Sequence, residues 1–160
     1  MKKTPKASVL KVIPRTAFWL GIWGLLPFVA LALTINFGSQ SQLVSATSAL
    51  VAYGAVILSF IGGIDWGRSL CGDSKIPKIE QSTMMIISNI PPLLGWASLL
   101  IGVDWGLFLL ILGFVIKLLI DFKLTRQKIY LPWFLQLRCG LTIVVVLILS
   151  VVILLKNEIW

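Results

Sequence analysis

Polar residues cut the chain into long apolar blocks. From Ala17 the sequence is almost wholly apolar to Ile35, pauses over Asn36-Phe37-Gly38-Ser39-Gln40-Ser41-Gln42, and then resumes. The same alternation continues to the C-terminus and predicts spans over 17–35, 44–64, 84–103, 105–122 and 132–155. Each is long enough, or nearly so, to cross a hydrocarbon layer of ~30 Å at a helical rise of ~1.5 Å per residue. The expected fold is an all-α integral membrane protein. It is a bundle of five transmembrane helices in a single membrane domain, 1–160, preceded by a basic tail over 1–15.

Within the second block, Ala55, Ser59, Gly63 and Gly67 recur every fourth residue, which on a helix makes one ridge with little side-chain bulk. Helices in lipid associate through close backbone approach along such ridges, because burying apolar side chains gains little there. The ridge is therefore expected to face another helix of the chain, the first or the third, with Ser59 within reach of Asn89. Proline punctuates the other blocks. Pro14 precedes the first helix, and Pro27 interrupts it. In the third block, Ser88-Asn89-Ile90-Pro91-Pro92 must kink or break the helix, since neither proline donates a backbone hydrogen bond. Two outcomes are open: a kink repacked by neighbours, or a discontinuous helix in which Ser59, Ser88, Asn89, Pro91 and Pro92 border a small polar cavity. An unpaired amide in lipid is costly, so Asn89 is expected to turn inward.

Composition narrows the class. Of 160 residues, 58% are apolar and 12% charged, which leaves too little polar surface for a soluble domain. The formal charge of +8 would suggest nucleic acid in a soluble protein, but its distribution gives a different answer. Lys2, Lys3, Lys6, Lys11 and Arg15 precede the first span; Arg68, Lys75 and Lys78 follow the second; Lys123, Arg126 and Lys128 follow the fourth. The remaining loops have no base, and the C-terminal tail has Lys156. With five spans, every crowded basic segment falls on one side if the N-terminus is cytoplasmic and the C-terminus external. The lipid bilayer, not nucleic acid, is the expected partner of these charges. Residues 1–35 have the outline of a signal peptide, but the apolar run is too long for one and contains Trp19, Trp23 and Pro27, so a retained span is expected. Cys71 and Cys139 fall on the cytoplasmic side of this topology, where disulfides are rare. Without histidine or a cysteine cluster, no metal or other cofactor is expected.

Candidate chemistry collects at the cytoplasmic ends of the helices. Asp65 and Arg68 end the second span, Lys117 and Asp121 close the fourth, and Arg138 enters the fifth. If Pro132 starts that helix, Arg138 lies ~9 Å along its axis, too deep to stand alone cheaply. These residues are expected to form a structural ion cluster. Its centre is an Asp121–Arg138 bridge with Asp65 as second acceptor, and Lys117 is free to snorkel outward. Ile129-Tyr130-Leu131-Pro132-Trp133-Phe134 is suited to the headgroup layer. The second and fourth spans both end Ile-Asp-aromatic, a weak internal echo.

Several motifs together are similar to a known family. Gly24-Leu25-Leu26-Pro27-Phe28, Tyr53-Gly54-Ala55, the run Ile57-Leu58-Ser59-Phe60-Ile61-Gly62-Gly63, and Trp66-Gly67 carry the resemblance. Ser88, Pro91, Trp96, Asp121, Pro132-Trp133, Leu137-Arg138 and Leu141-Thr142 continue it in order. The chain resembles the transmembrane protein 69-like family, small polytopic membrane proteins catalogued as a domain of unknown function. The resemblance implies a bacterial inner (plasma) membrane or mitochondrial setting, and it implies no reaction, substrate or cofactor. Three functions compete. One is a structural, assembly or partner-binding protein of the membrane, working with a membrane-protein partner or as a homo-oligomer. The second is a small oligomeric transporter or channel using its proline-broken helices. The third, more remote, is an intramembrane enzyme with Asp65 and Asp121, although neither lies in the Gly-x-Gly-Asp or Tyr-Asp context of aspartyl proteases.

Overall fold

The computed structural model describes residues 12–71 and 76–159, with side chains described as far as 155. The basic tail up to Lys11, Lys75 and the Lys156 side chain lie outside the described residues. Six helices follow in order: α1 (Arg15–Phe37), α2 (Gln40–Leu70), α3 (Lys78–Ile87), α4 (Ile90–Ser98), α5 (Val103–Arg126) and α6 (Pro132–Ile159). Among the described residues there is no strand. Four helices, α1, α2, α5 and α6, are long and apolar enough to cross a membrane. The protein is an all-α membrane bundle.

Local chemistry sets the helix ends. Pro14 stands before α1, where its carbonyl accepts from Phe18 N at 3.0 Å. Ser39 starts α2 with a capping box, its backbone N–H donating to Gln42 Oε1 at 2.9 Å. At 31 residues α2 is ~46 Å long, more than a hydrocarbon core requires. Gly102 joins α4 to α5 at φ +85°, a left-handed conformation that a side chain would strain.

The third block is two helices, not one span. α3 ends at Ile87 and α4 begins at Ile90, with Asn89 N bonded to Ile86 O at 3.2 Å in a tightened turn. Pro91 and Pro92 occupy the first turn of α4, where a missing N–H leaves no helical bond unmade. Together α3 and α4 run along α2 in the opposite direction. Gly95 sits against Ala55, the Ser88–Pro92 break sits against Gly62, and Met84 packs in a cluster with Leu124 and Tyr130.

Glycines bring the helices close, and of the expected ridge only Ala55 takes part in the contact. A Cβ on Gly62 would lie 2.8 Å from Pro92 Cδ and 2.9 Å from the Ser88 carbonyl oxygen. The carbonyl that the prolines release is thus seated on Gly62, which has no side chain to displace it. One on Gly95 would lie 2.9 Å from the Ala55 carbonyl oxygen, and one on Gly106 would collide with that of Ser98. Ala55 is buried in this interface. Gly63 and Gly67, by contrast, are exposed, and a Cβ on either meets nothing within 4 Å. The helical rotation of about 100° per residue decides the matter: Gly62 takes the inner face, so Gly63 must leave it. Ser59 is only partly buried and donates to its own helix, at Ala55 O, 2.8 Å away.

The core between α1, α2, α5 and α6 is built on Phe28, Leu50, Leu58, Leu107, Leu110, Phe114 and Leu149. Phe28 meets Tyr53 and Phe114 edge to face, at ring centroids 4.9 and 6.3 Å apart. Tyr53 also donates from its hydroxyl to Gly24 O on α1 at 3.0 Å. A second, smaller apolar cluster of Ile76, Met84, Leu124, Ile129 and Tyr130 closes the end of the bundle where α2 and α5 finish.

Candidate functional site

Between these two apolar clusters lies a group of charges cut off from solvent. Asp65, Lys117 and Asp121 are 0% exposed and Arg138 is 6% exposed. α2 and α5 both end at this face, so the two Ile-Asp-aromatic ends bring Asp65 and Asp121 to one place. The Lys117 ammonium stands between them, donating to Asp65 Oδ1 at 3.1 Å and to Asp121 Oδ1. Asp121 spans one helical turn to Lys117, and its other oxygen, Oδ2, accepts from Arg138 Nε of α6 at 3.0 Å. The Tyr130 hydroxyl donates to Asp65 Oδ1 from the α5–α6 connection. Two acids thus face two bases, and their formal charges balance.

The expected cluster needs correcting in three respects. Lys117 does not snorkel: the gain from two buried carboxylates exceeds that of reaching water, because each acid would otherwise stand uncompensated in a low dielectric. Asp65 takes Lys117 and Tyr130 as its partners, while Arg138 bonds Asp121 through Nε, not through a two-pronged fork. Arg68 sits at the rim, half-buried, with Nε donating to Ile129 O at 3.4 Å. Tyr130 is the member that sequence reading missed, because it belongs to a segment that reads as interfacial. Its place just before the Leu-Pro start of α6, on the side where α2 ends, is the signal that points to it. Burial first, and then the Asp65 carboxylate, push its phenol well above the ordinary range.

Of the two outcomes open at the α3–α4 break, the side-chain bonds favour a break repacked on itself over a polar cavity. Asn89 is exposed and turns its amide back onto Met85 O at 2.7 Å, while Ser88 Oγ donates to the same carbonyl, also at 2.7 Å. The Ser88 and Asn89 side chains thus both bond to their own helix. A cavity of about 310 Å³ lies elsewhere, between α1, α2, α5 and α6, and its wall is almost wholly apolar. Among the described residues no His, Cys, Asp and Glu side chains gather as a metal site. Cys71 and Cys139 are free thiols.

A multi-helix membrane bundle whose ends are tied by a neutral, buried ion cluster is the class these features define. Its sequence places it more closely. Residues 13–154 match the family described as "Protein of unknown function (DUF3429)", and the chain belongs to that family. It is 37% identical over 141 residues to "Transmembrane protein 69" of Xenopus tropicalis, covering 87% of this chain and 54% of that protein. It is 30% identical over 158 residues to "Transmembrane protein 69" of Mus musculus, covering 98% of this chain and 62% of that protein. The chain thus spans only part of the length of these relatives. No solved structure matches it.

Proposed function

We propose that the protein is a structural or assembly component of the membrane that receives a transmembrane helix of a partner, or of a second copy, on the outer side of α2. The observation that carries this reading is the division of α2 into two faces. Its inner face closes onto α4 and α5 through Gly54, Ala55 and Gly62. Its outer face leaves Gly63 and Gly67 with open space beside them, bordered by exposed Phe60 and Trp66. Small residues in lipid give a helix a place to approach closely. The ion cluster supports the same reading, since its charges pair with one another and tie α2, α5 and α6 together. We assign the protein to the bacterial inner membrane as a multi-pass protein with a cytoplasmic N-terminus.

Transport is the second reading, favoured by the α3–α4 break. The bonds of Ser88 and Asn89 to their own helix weigh against it. The enzyme reading loses support because Lys117 separates the two carboxylates, which a shared-proton acid pair does not tolerate. Copurification from mild detergent tests the proposal. A stoichiometric membrane-protein partner or a homo-oligomer, lost in Gly63→Leu while the fold persists, is the expected result. A monomer without partner, unaffected by Gly63→Leu, overturns it.

A further inference from the structure

The outward face of α3 and α4 carries a polar group among side chains that suit lipid. Ile86, Asn89, Leu93 and Trp96 are all exposed and recur at steps of three and four residues, so they form one stripe along the broken helix. Ile86, Leu93 and Trp96 are at home in hydrocarbon, and Asn89 is not. It is the sixth residue of the apolar block that begins at Met84, ~7.5 Å along the axis from it. Gly62, against which the break sits, precedes Asp65 by three residues on α2, so the break lies deeper than the ion cluster. The Asn89 amide is only half used. Nδ2 donates to Met85 O at 2.7 Å and reaches Ile86 O at 3.5 Å, the limit of a bond. Oδ1 accepts no hydrogen bond among the described residues. Capping the end of α3 thus accounts for the donor but not for the acceptor. Lipid tails offer no donor, and a polar atom left unpaired in hydrocarbon is costly.

We infer that this stripe is where a second copy of the chain docks, in a parallel dimer whose two Asn89 amides bond to each other across a two-fold axis along the bilayer normal. Depth, chemistry and periodicity together single out a second copy. Copies inserted in one orientation carry Asn89 at the same level, so the axis brings each Asn89 against itself, as the isologous contact of a two-fold dimer requires. A carboxamide is complementary to itself. Oδ1 of one copy accepts from the second Nδ2 hydrogen of the other, and the reverse bond forms alongside it. Both unpaired oxygens are then satisfied with no outside group. Ile86 and Leu93 stand seven residues apart, as do Asn89 and Trp96, the repeat that keeps one seam in contact along a pair of helices. A single Asn within such a seam fixes its register and its pairing. Hydrogen bonds between helices are among the forces that hold them together in lipid, where apolar burial gains little. The surface lies on α3 and α4 rather than on α2, so it stands whether or not a partner docks beside Gly63.

The test uses the full chain in lipid vesicles. In a Cys71→Ser, Cys139→Ser background, Ile86→Cys and Leu93→Cys should each give a disulfide-linked dimer on oxidation with copper phenanthroline. Leu147→Cys, exposed on α6, should not. The Ile86→Cys cross-link should persist when Gly63→Leu is added, which separates this contact from docking on α2. Dimerisation itself is read as energy transfer between donor- and acceptor-labelled copies, tagged at Cys71 in a Cys139→Ser protein and diluted progressively in lipid. Asn89→Val should weaken it by about tenfold, the loss expected for a pair of interhelical bonds, and Asn89→Gln, which keeps the amide, should retain part of it. Ile86→Cys and Leu93→Cys keep Asn89 in place, so their cross-linking decides even if Asn89→Val misfolds. Four results overturn the inference: no cross-link at either position, equal cross-linking at Leu147→Cys, a folded Asn89→Val protein that dimerises as tightly as its parent, or capture of a different protein by Ile86→Cys in place of a second copy.

Discussion

Lys117 is the residue on which the buried cluster turns. It reaches one carboxylate a turn away on its own helix and another on α2, so it ties together elements far apart in sequence. Asp121 then passes the connection to α6 through Arg138, and Tyr130 closes it from the α5–α6 connection. Buried ion groups of this kind are weak evidence of stability gained, but strong evidence of stability lost when one member goes. Asp121→Ala should therefore cost about 3–5 kcal/mol, because Arg138 is left buried without its acid. Arg138→Ala should cost less, since Asp121 keeps Lys117. Adding Arg138→Ala to the Asp121→Ala protein should recover part of the loss. Thermal unfolding in detergent micelles measures all three, and losses that simply add would mean the two side chains are not coupled.

At the scale of elements, the α2–α4 contact is the tightest constraint. The tandem prolines end one helix and start the next, and the freed Ser88 carbonyl lies over Gly62. Gly62→Val should push the break away from α2 and destabilise the protein by about 1–3 kcal/mol, the usual range for overpacking. The adjacent Gly63→Val should change thermal stability by less than about 0.5 kcal/mol, as befits an open position. Equal losses at the two positions would show that both faces of α2 are packed. This same pair separates fold from partner binding, since the outer glycine bears on docking alone.

For the whole molecule, the described bases collect at one end. Arg15 of α1 lies on the side of the cavity wall formed by Ala17, Ile64 and Trp133, and Arg68, Lys78, Lys123, Arg126 and Lys128 flank the smaller apolar cluster. Asp104 stands at the opposite end, at the start of α5. With positive charge retained on the cytoplasmic side, the proposed topology turns this end to the cytoplasm. Cys71 is exposed there and offers a native reporter. In a Cys139→Ser background, a membrane-impermeant maleimide should leave Cys71 unlabelled in intact cells and label it in inside-out vesicles. The reverse pattern would invert the topology.

The apolar blocks, their lengths, the charge asymmetry and the family motifs are all properties of the chain read in one dimension, and they determined that this is an all-helical membrane protein with its crowded basic segments at one end. The depth of Asp65, Lys117, Asp121 and Arg138 was legible in the same way, because rise per residue converts position into depth. Which face each residue takes was not. Gly62 and Gly63 are neighbours of the same type, separated by about 100° around the helix, and only the position of α4 assigns one to the core and the other to the outside. Lys117 has a stem long enough to reach water or to fold inward, and two carboxylates from different helices decided between them. Tyr130 is 65 residues from Asp65, and no local pattern links them. Sequence sets how deep a group lies, but the azimuth around each helix, and with it every partnership between helices, is fixed only when the neighbouring helices pack.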